Sequence, residues 1–205
     1  MPANNEDLHG SAPDTSAVAL LLVDVVNDLE FEGGEELLVH FRPAAARIAA
    51  LKERARAAGI PVIYANDNFG RWRSDFREVV EHCLSDGVRG EETVRMLRPD
   101  ERDYFVLKPK HSAFFATTLD TLLQYLGTRH LVLAGVAGDV CVLFTASDAY
   151  MRDLHLHVPS DCLASESAEE NRRALAYMER VLRADVTPST ELDLEALAGG
   201  KEGPG

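Results

Sequence analysis

The sequence predicts an α/β protein with a three-layer, doubly wound, six-stranded and mainly parallel sheet that carries helices on both faces. Short uninterrupted apolar runs alternate along the chain with amphipathic stretches, which is typical of parallel strands covered by helices on both sides. The 205 residues are 46% hydrophobic and 27% charged, enough for one core of ordinary size without disulfides or a structural metal. We therefore expect one folded domain.

Six short segments rich in aliphatic and β-branched residues predict the strands. In chain order they are residues 17–23, 61–65, 104–107, 130–136, 155–158 and 184–186. Amphipathic segments between the strands predict helices, the first two of which end before Gly59 and Gly127. The predicted helices are residues 42–58, 118–126, 139–151 and 168–182.

Three segments fall outside this alternation. Residues 1–16 are polar and aperiodic, and they predict a loosely packed tail ahead of a domain formed by residues 17–187. Residues 188–205 predict an acidic C-terminal extension. Residues 66–99 are rich in Arg and Asp, and a connection of this length is typical of a lid or a binding loop.

Charge and cysteine content exclude several classes of partner. The formal net charge of −13 repels phosphate backbones and anionic lipid headgroups, so we expect neither nucleic acid nor a membrane as a partner. A secretory leader needs a basic residue ahead of its apolar stretch, but no Lys or Arg precedes Arg42. We therefore expect a cytoplasmic protein. The three cysteines lack CxxC spacing, which disfavours disulfides and a thiolate zinc site. Cys83 and Cys162 are interpreted as structural.

Three reactive side chains follow three of the predicted strands, namely Asp24, Lys108 and Cys141. Right-handed crossovers place the carboxyl ends of parallel strands at one edge of the sheet, so these side chains are expected to meet. Asp24 is flanked by valines, and partial desolvation of its carboxylate among them would raise its pKa. Lys108 is a candidate cation to offset this effect. Cys141 is expected in the first turn of a helix, where the dipole favours the thiolate. Taken singly, the three could be a helix cap, a solvated lysine and a buried thiol.

In these residues the chain resembles the isochorismatase-like cysteine hydrolases, which include isochorismatases, nicotinamidases and other small-amide hydrolases. The resemblance spans about residues 17–187 and rests, in order, on LLLVDVVNDLEF, VIYANDNFGRW, LKPKHSAFFATTLDTLL and LVLAGVAGDVCVLFTASDAYMRD. It implies that Asp24 is the acid/base, Lys108 the triad lysine and Cys141 the nucleophile. It also implies a cis peptide between Val136 and Ala137, with an oxyanion held by the N–H groups of Ala137 and Cys141.

The resemblance further implies a substrate pocket, although aromatic residues near a crevice are equally often core filling. The residues implied are Asn27, Phe31, Asn68, Trp72, His111 and Phe115. Arg71 and Arg73 flank Trp72 and either meet a substrate carboxylate or form surface ion pairs with Asp67 and Asp75, and we favour the ion pairs.

The sequence departs from the nicotinamidase-type members at their metal site. Those members place Asp-x-His after the second strand, whereas this chain has Asn66-Asp67-Asn68-Phe69 without a histidine at that spacing. His155 and His157 share one face of a predicted strand, but without a nearby acid they are interpreted as packing or surface residues. We therefore expect no metal and no other cofactor.

Three functions compete. The first is hydrolysis of a small carboxamide or related C–N bond through a thioester on Cys141. The second is isochorismatase-type hydrolysis of a vinyl ether, which needs no thioester. The third is a non-catalytic small-molecule-binding or nucleotide-binding module, disfavoured because residues 24–27 lack the glycines of a pyrophosphate loop. The expected partners are a small-molecule substrate and, as is common in the family, further copies of the chain in a homodimer or homotetramer.

Overall fold

The computed structural model describes residues 14–67 and 75–199, and within these ranges it contains one six-stranded sheet whose pairings are all parallel. The strands are β1 (Val18–Val23), β2 (Val62–Asp67), β3 (Tyr104–Lys108), β4 (His130–Val136), β5 (His155–His157) and β6 (Leu163–Ala164). Their order is β3-β2-β1-β4-β5, and β6 pairs with the carboxyl end of β4. The predicted fold class is confirmed.

Helices cover both faces of the sheet. They are α1 (Gly34–Ala57), α2 (Phe76–Ser85), α3 (Glu91–Met96), α4 (Leu119–Leu126), α5 (Leu143–Tyr150), α6 (Ala168–Leu182) and α7 (Leu194–Ala198), with a π-helical turn (Gly138–Val142) leading into α5. Alternate residues of β1 point to opposite faces, so that Leu20 and Leu22 pack towards α1 while Leu21 and Val23 pack towards α4, α5 and α6. Every residue of β1 is buried, as expected for a central parallel strand.

Five of the six predicted strands are confirmed, and the sixth is wrong. Residues 184–186 contribute a single bridge between Asp185 and His157. The Asp185 carboxylate then accepts the Thr187 N–H, which turns the chain away from the sheet. The two-residue strand β6 pairs beside β4 instead. It is too short to show an apolar run in the sequence.

The helices beginning at residues 42 and 139 differ from the prediction. The first starts earlier, at Gly34, because Leu37 and Phe41 extend its buried face towards the N-terminus. Pro43 lies inside this helix and cannot donate to the Val39 carbonyl, but Val39 is exposed, so water can replace the missing donor. The second begins as the π-helical turn rather than as an α-helix.

The connection between β2 and β3 and the C-terminal segment contain further helical structure. Where the connection is described it forms α2 and α3. In the C-terminal segment, Leu192 and Leu194 join the core beside α1, and the Arg54 guanidinium donates to the Leu192 carbonyl at 2.5 Å. In the described parts of the chain, no helix has the length and apolar content to cross a membrane.

Candidate active site

Asp24, Lys108 and Cys141 meet at the carboxyl edge of the sheet. Asp24 directly follows β1, Lys108 is the last residue of β3, and Cys141 lies in the π-helical turn after β4. Strand β2 separates β1 from β3, so the Lys108 side chain reaches across it towards Asp24. That side chain is fully buried, and the Asp24 carboxylate is nearly so.

The Lys108 ammonium has a partner for each of its three donors. Its Nζ lies 2.7 Å from Asp24 Oδ2, 3.2 Å from the Lys110 carbonyl oxygen and 3.5 Å from Cys141 Sγ. The Asp67 carboxylate lies further out, at 4.0 Å. The lysine therefore holds the carboxylate and the thiol on either side of one positive charge.

Backbone contacts fix the orientation of Asp24. The Asp67 N–H donates to Asp24 Oδ1 at 2.7 Å, which leaves Oδ2 to Lys108. Asp24 itself adopts a left-handed conformation, with φ of 51°, and its N–H donates to the Ala65 carbonyl at 2.9 Å. Such a conformation is uncommon for a residue with a side chain and occurs at functional sites where the surroundings hold it.

Burial and charge act in opposite directions on this ion pair. Burial raises the pKa of Asp24 above its ordinary value, even though the Lys108 charge and hydrogen bond oppose the change. Burial disfavours the charge of Lys108, but the neighbouring Asp24 and Cys141 outweigh it, so that the pKa of Lys108 is also raised. Lys108 therefore stays protonated at neutral pH, while Asp24 becomes a stronger base than an exposed carboxylate.

The surroundings of Cys141 differ from the expectation that a helix dipole favours its thiolate form. Burial and, after it, the negative charge of Asp24 raise the pKa of the Cys141 thiol to about 12, against the opposing effect of Lys108. The thiol also lies in a π-helical turn rather than in the first turn of an α-helix. In the free protein at neutral pH, Cys141 is therefore a protonated thiol.

The turn that carries Cys141 follows a cis peptide bond between Val136 and Ala137, at the position that the resemblance implies. Two N–H groups, those of Val140 and Val142, donate to the Ala137 carbonyl at 3.2 and 3.1 Å. They lie on either side of Cys141, so the Ala137 carbonyl fixes the backbone around the residue that carries the thiol.

Gly135 allows β4 to approach β1 just before this turn. It has a φ of +134°, and a Cβ at this position would lie 2.1 Å from the Val23 carbonyl oxygen. Only glycine fits such a close approach of two strands. The chain from Gly135 to Cys141 is therefore positioned directly against the strand that presents Asp24.

His111, one of the predicted pocket residues, lies close to the thiol. Its Nδ1 lies 3.7 Å from Cys141 Sγ, and its exposed ring packs against Phe144 with centroids 5.6 Å apart. The sequence analysis assigned His111 to substrate contact but did not predict its approach to the sulfur. The exposed Phe144, which lies one turn beyond Cys141 on α5, was not predicted at all.

The other predicted pocket residues lie in different environments. Asn27 is buried, and its Oδ1 accepts the Leu29 N–H at 2.8 Å, so that it holds the turn after β1. Phe31 and Phe115 are exposed. Asn68 and Trp72 lie outside the described residues, as do Arg71 and Arg73. Contact of these residues with substrate stays a prediction.

Asn66 was missed by the sequence analysis. It is fully buried, and its amide pairs with Val26, donating to the carbonyl at 2.5 Å and accepting the N–H at 3.5 Å. This contact ties the end of β2 to the segment that follows Asp24. The signal in the sequence was a polar amide at the end of an otherwise apolar strand.

The histidines considered as metal ligands, His155 and His157, lie on β5 beside the amino end of β4, opposite the site. His157 contacts His130 at 3.2 Å and the Asp185 carboxylate at 3.3 Å, and His155 stacks on His130. Asp185 is thus an acid near the histidines, which the sequence analysis did not foresee. Across residues 14–67 and 75–199, no group of three or more His, Cys, Asp or Glu side chains is arranged to hold a metal ion. Cys83 and Cys162 are buried in the core.

Comparison with known proteins gives a consistent result. Residues 18–191 match the family described as Isochorismatase domain. The uncharacterised isochorismatase family protein YaaI of Bacillus subtilis is 44% identical over 174 residues, which make up 85% of this chain and 95% of that protein. The ureidoacrylate amidohydrolase RutB of Pantoea ananatis is 31% identical over 184 residues, 78% of this chain and 74% of that protein.

A solved structure supports the same grouping. N-carbamoylsarcosine amidase from Thermoplasma acidophilum has a TM-score of 0.66 and 29% sequence identity, over 86% of this chain and 98% of that chain. The family match covers most of the chain, and the Bacillus relative is similar over nearly its whole length. The chain therefore belongs to the isochorismatase family of hydrolases.

Proposed function

We propose that the protein is a cysteine hydrolase that cleaves the C–N bond of a small carboxamide or related compound through a thioester on Cys141. One observation carries this proposal: the buried Lys108 ammonium lies 2.7 Å from the Asp24 carboxylate and 3.5 Å from Cys141 Sγ. A base, a cation and a nucleophile are the groups that acyl transfer through a thiolate needs.

The reaction begins with proton transfer from the Cys141 thiol to Asp24. The raised pKa of Asp24 makes this carboxylate a better acceptor, while the raised pKa of the thiol keeps the sulfur protonated until a substrate arrives. The Lys108 ammonium, which hydrogen-bonds the sulfur, stabilises the negative charge as it forms. The thiolate then attacks the carbonyl carbon of the substrate.

The N–H groups of Ala137 and Cys141 hold the oxyanion that this attack creates. The proposal is supported by the turn geometry, in which the Ala137 carbonyl accepts the N–H groups of Val140 and Val142 and so fixes the backbone on both sides of Cys141. Asp24 returns its proton to the leaving nitrogen as the C–N bond breaks. It next removes a proton from water, which attacks the thioester and releases the acid and the free thiol.

The amide class of substrate is supported by the relatives. Both the ureidoacrylate amidohydrolase and the N-carbamoylsarcosine amidase are named as enzymes that cleave amide-type C–N bonds. N-carbamoyl and ureido compounds therefore stand first in a substrate panel, followed by simple carboxamides.

Product release tests this function against its two competitors. We expect purified protein to release ammonia or an amine from at least one member of the amide panel, and we expect Cys141→Ala to abolish this release. Cys83→Ala is the matched control, because it removes a thiol that lies on α2 in the hydrophobic core rather than at the site, and it should leave turnover within about threefold of wild type. Release of pyruvate from isochorismate without amide turnover would establish the vinyl-ether reaction instead. Binding of a panel compound with no product of either kind would establish a binding module.

A further inference from the structure

The segment that follows β3 is fastened to α5 by side chains on one face of that helix. The Ser112 hydroxyl donates to the Asp148 carboxylate, and the Ala113 N–H donates to Thr145 Oγ1 at 3.0 Å. Thr145 and Asp148 are three residues apart, so they lie on the same face of the helix. We call these four residues the α5 clamp.

Thr145 also bonds the residue that carries the thiol. Thr145 is fully buried, and its hydroxyl donates to the Cys141 carbonyl at 2.7 Å. The Cys141 carbonyl shares a peptide plane with the Val142 N–H, which donates to the Ala137 carbonyl at 3.1 Å. That plane is thus held at both ends, and with it the direction in which Cys141 presents its sulfur.

The other partner of the Thr145 hydroxyl is the Ala113 N–H, which lies on the segment that follows Lys108. Ala113 lies two residues after His111, whose ring nitrogen is 3.7 Å from Cys141 Sγ. It lies three residues after Lys110, whose carbonyl accepts a hydrogen bond from the Lys108 ammonium at 3.2 Å. One hydroxyl therefore links the backbone of Cys141 to the segment that bears two of the groups around its sulfur.

We propose that Thr145 is a positioning residue, which through the α5 clamp sets the distance of Cys141 Sγ from Lys108 and His111. This inference rests on the proposed cysteine hydrolase function. Bonding of a helix Ser or Thr to the carbonyl four residues earlier is common and by itself only local. Ser147 makes that local bond, to the Leu143 carbonyl at 2.9 Å, and so provides a matched control on the same helix.

The test compares Thr145→Val, Thr145→Ser and Ser147→Ala in full-length protein, using the panel amide that wild type hydrolyses best. Valine keeps the shape of threonine but removes both hydrogen bonds. We expect kcat to fall about 10- to 100-fold in Thr145→Val with KM changed less than about threefold, since a small misplacement of reacting groups slows chemistry more than binding. We expect Thr145→Ser and Ser147→Ala to stay within about threefold of wild type in both constants.

A kcat for Thr145→Val within threefold of wild type would overturn the inference, as would a Thr145→Ser variant as slow as the valine variant. Thermal unfolding shows which variants are folded at the assay temperature. If Thr145→Val does not fold, Ser112→Ala tests the clamp, with kcat expected to fall about 3- to 10-fold and an unchanged kcat contradicting it. Loss of turnover in Cys141→Ala alongside a normal Thr145→Val refutes only the positioning role. Absence of amide turnover in wild type refutes the proposed function, and the inference with it.

Discussion

The Lys108 ammonium lies 2.7 Å from Asp24 Oδ2 although Lys108 ends β3, Asp24 follows β1, and β2 separates these two strands. The contact forms because the long Lys108 side chain crosses the edge of the sheet. It is buried there, so neither charged group is in contact with bulk water. Each charge is tolerated there only because the other is present. Lys108 also contacts Cys141 Sγ, so the buried Asp24–Lys108 ion pair also determines the charge around the thiol.

Removal of the Lys108 charge should cost both stability and activity. In Lys108→Met the Asp24 carboxylate remains buried without its cation, so its pKa rises further and the free energy of unfolding falls by about 3–5 kcal/mol. Amide hydrolysis should fall at least about 100-fold, because a protonated Asp24 cannot accept the thiol proton. Urea unfolding and the release assay measure the two effects.

Lys110→Met is the control for this change. Lys110 is exposed and contributes its backbone carbonyl, not its side chain, to the Lys108 contact. Its replacement should alter the free energy of unfolding by less than about 0.5 kcal/mol. Equal effects of the two substitutions would show that loss of a lysine in this segment, rather than loss of the buried ion pair, explains the result.

The pH dependence of Cys141 alkylation follows from the raised pKa of its thiol. With a pKa of about 12, the rate with iodoacetamide should rise about tenfold per pH unit from pH 7 to pH 10 and reach no plateau there, because the thiolate is the reactive form. Mass spectrometry after timed quenching separates Cys141 from the buried Cys83 and Cys162. A plateau near pH 8.5 would contradict the protonated resting state.

Substitutions at the two charged neighbours should shift that rate in opposite directions. Asp24 raises the pKa of Cys141 and Lys108 lowers it, so Asp24→Asn should alkylate about tenfold faster than wild type at pH 9, and Lys108→Met about tenfold slower. The asparagine keeps the size of the side chain and removes only the charge. A change in the same direction for both variants would point to altered access to the sulfur instead of altered ionisation.

The sequence predicted the fold well because its signal is local. Five strands contain short apolar runs that the sequence shows directly, and residues 168–182 carry the amphipathic pattern of α6 unchanged. The sixth strand could not be found this way, since Leu163–Ala164 is two residues long and owes its pairing to the neighbouring β4. The π-helical turn likewise depends on where the Ala137 carbonyl finds its donors.

The sequence predicted that Asp24, Lys108 and Cys141 meet, but not the electrostatics around them. Residue order placed Asp24, Lys108 and Cys141 at one sheet edge, which parallel topology alone implies. The pKa of the thiol depends instead on its depth and on the distance to Asp24, which only the tertiary structure fixes. Thr145 was overlooked for the same reason, because its bond to the Ala113 N–H joins two segments that are remote in sequence.

Gly135→Ala should disrupt the end of β4. The new Cβ would meet the Val23 carbonyl, which is backbone and cannot move aside, so we expect the free energy of unfolding to fall by about 3 kcal/mol or more. Gly127→Ala is the control: its φ is also positive, at +74°, but nothing lies within 4 Å, so only the conformational cost of about 1 kcal/mol remains. Denaturant unfolding compares them, and equal losses would show that close approach to β1 is not what requires glycine.

His111→Ala should lower kcat/KM about tenfold and leave stability nearly unchanged. The imidazole lies 3.7 Å from Cys141 Sγ on the exposed side of the site, so its loss removes a polar neighbour of the sulfur and of any bound carbonyl without opening the core. His155→Ala provides the comparison, because His155 is also exposed but lies at the opposite edge of the sheet. Its kcat/KM should stay within about twofold of wild type. If the two alanine variants hydrolyse the amide equally well, His111 is only a surface residue near the thiol and the predicted substrate contact fails.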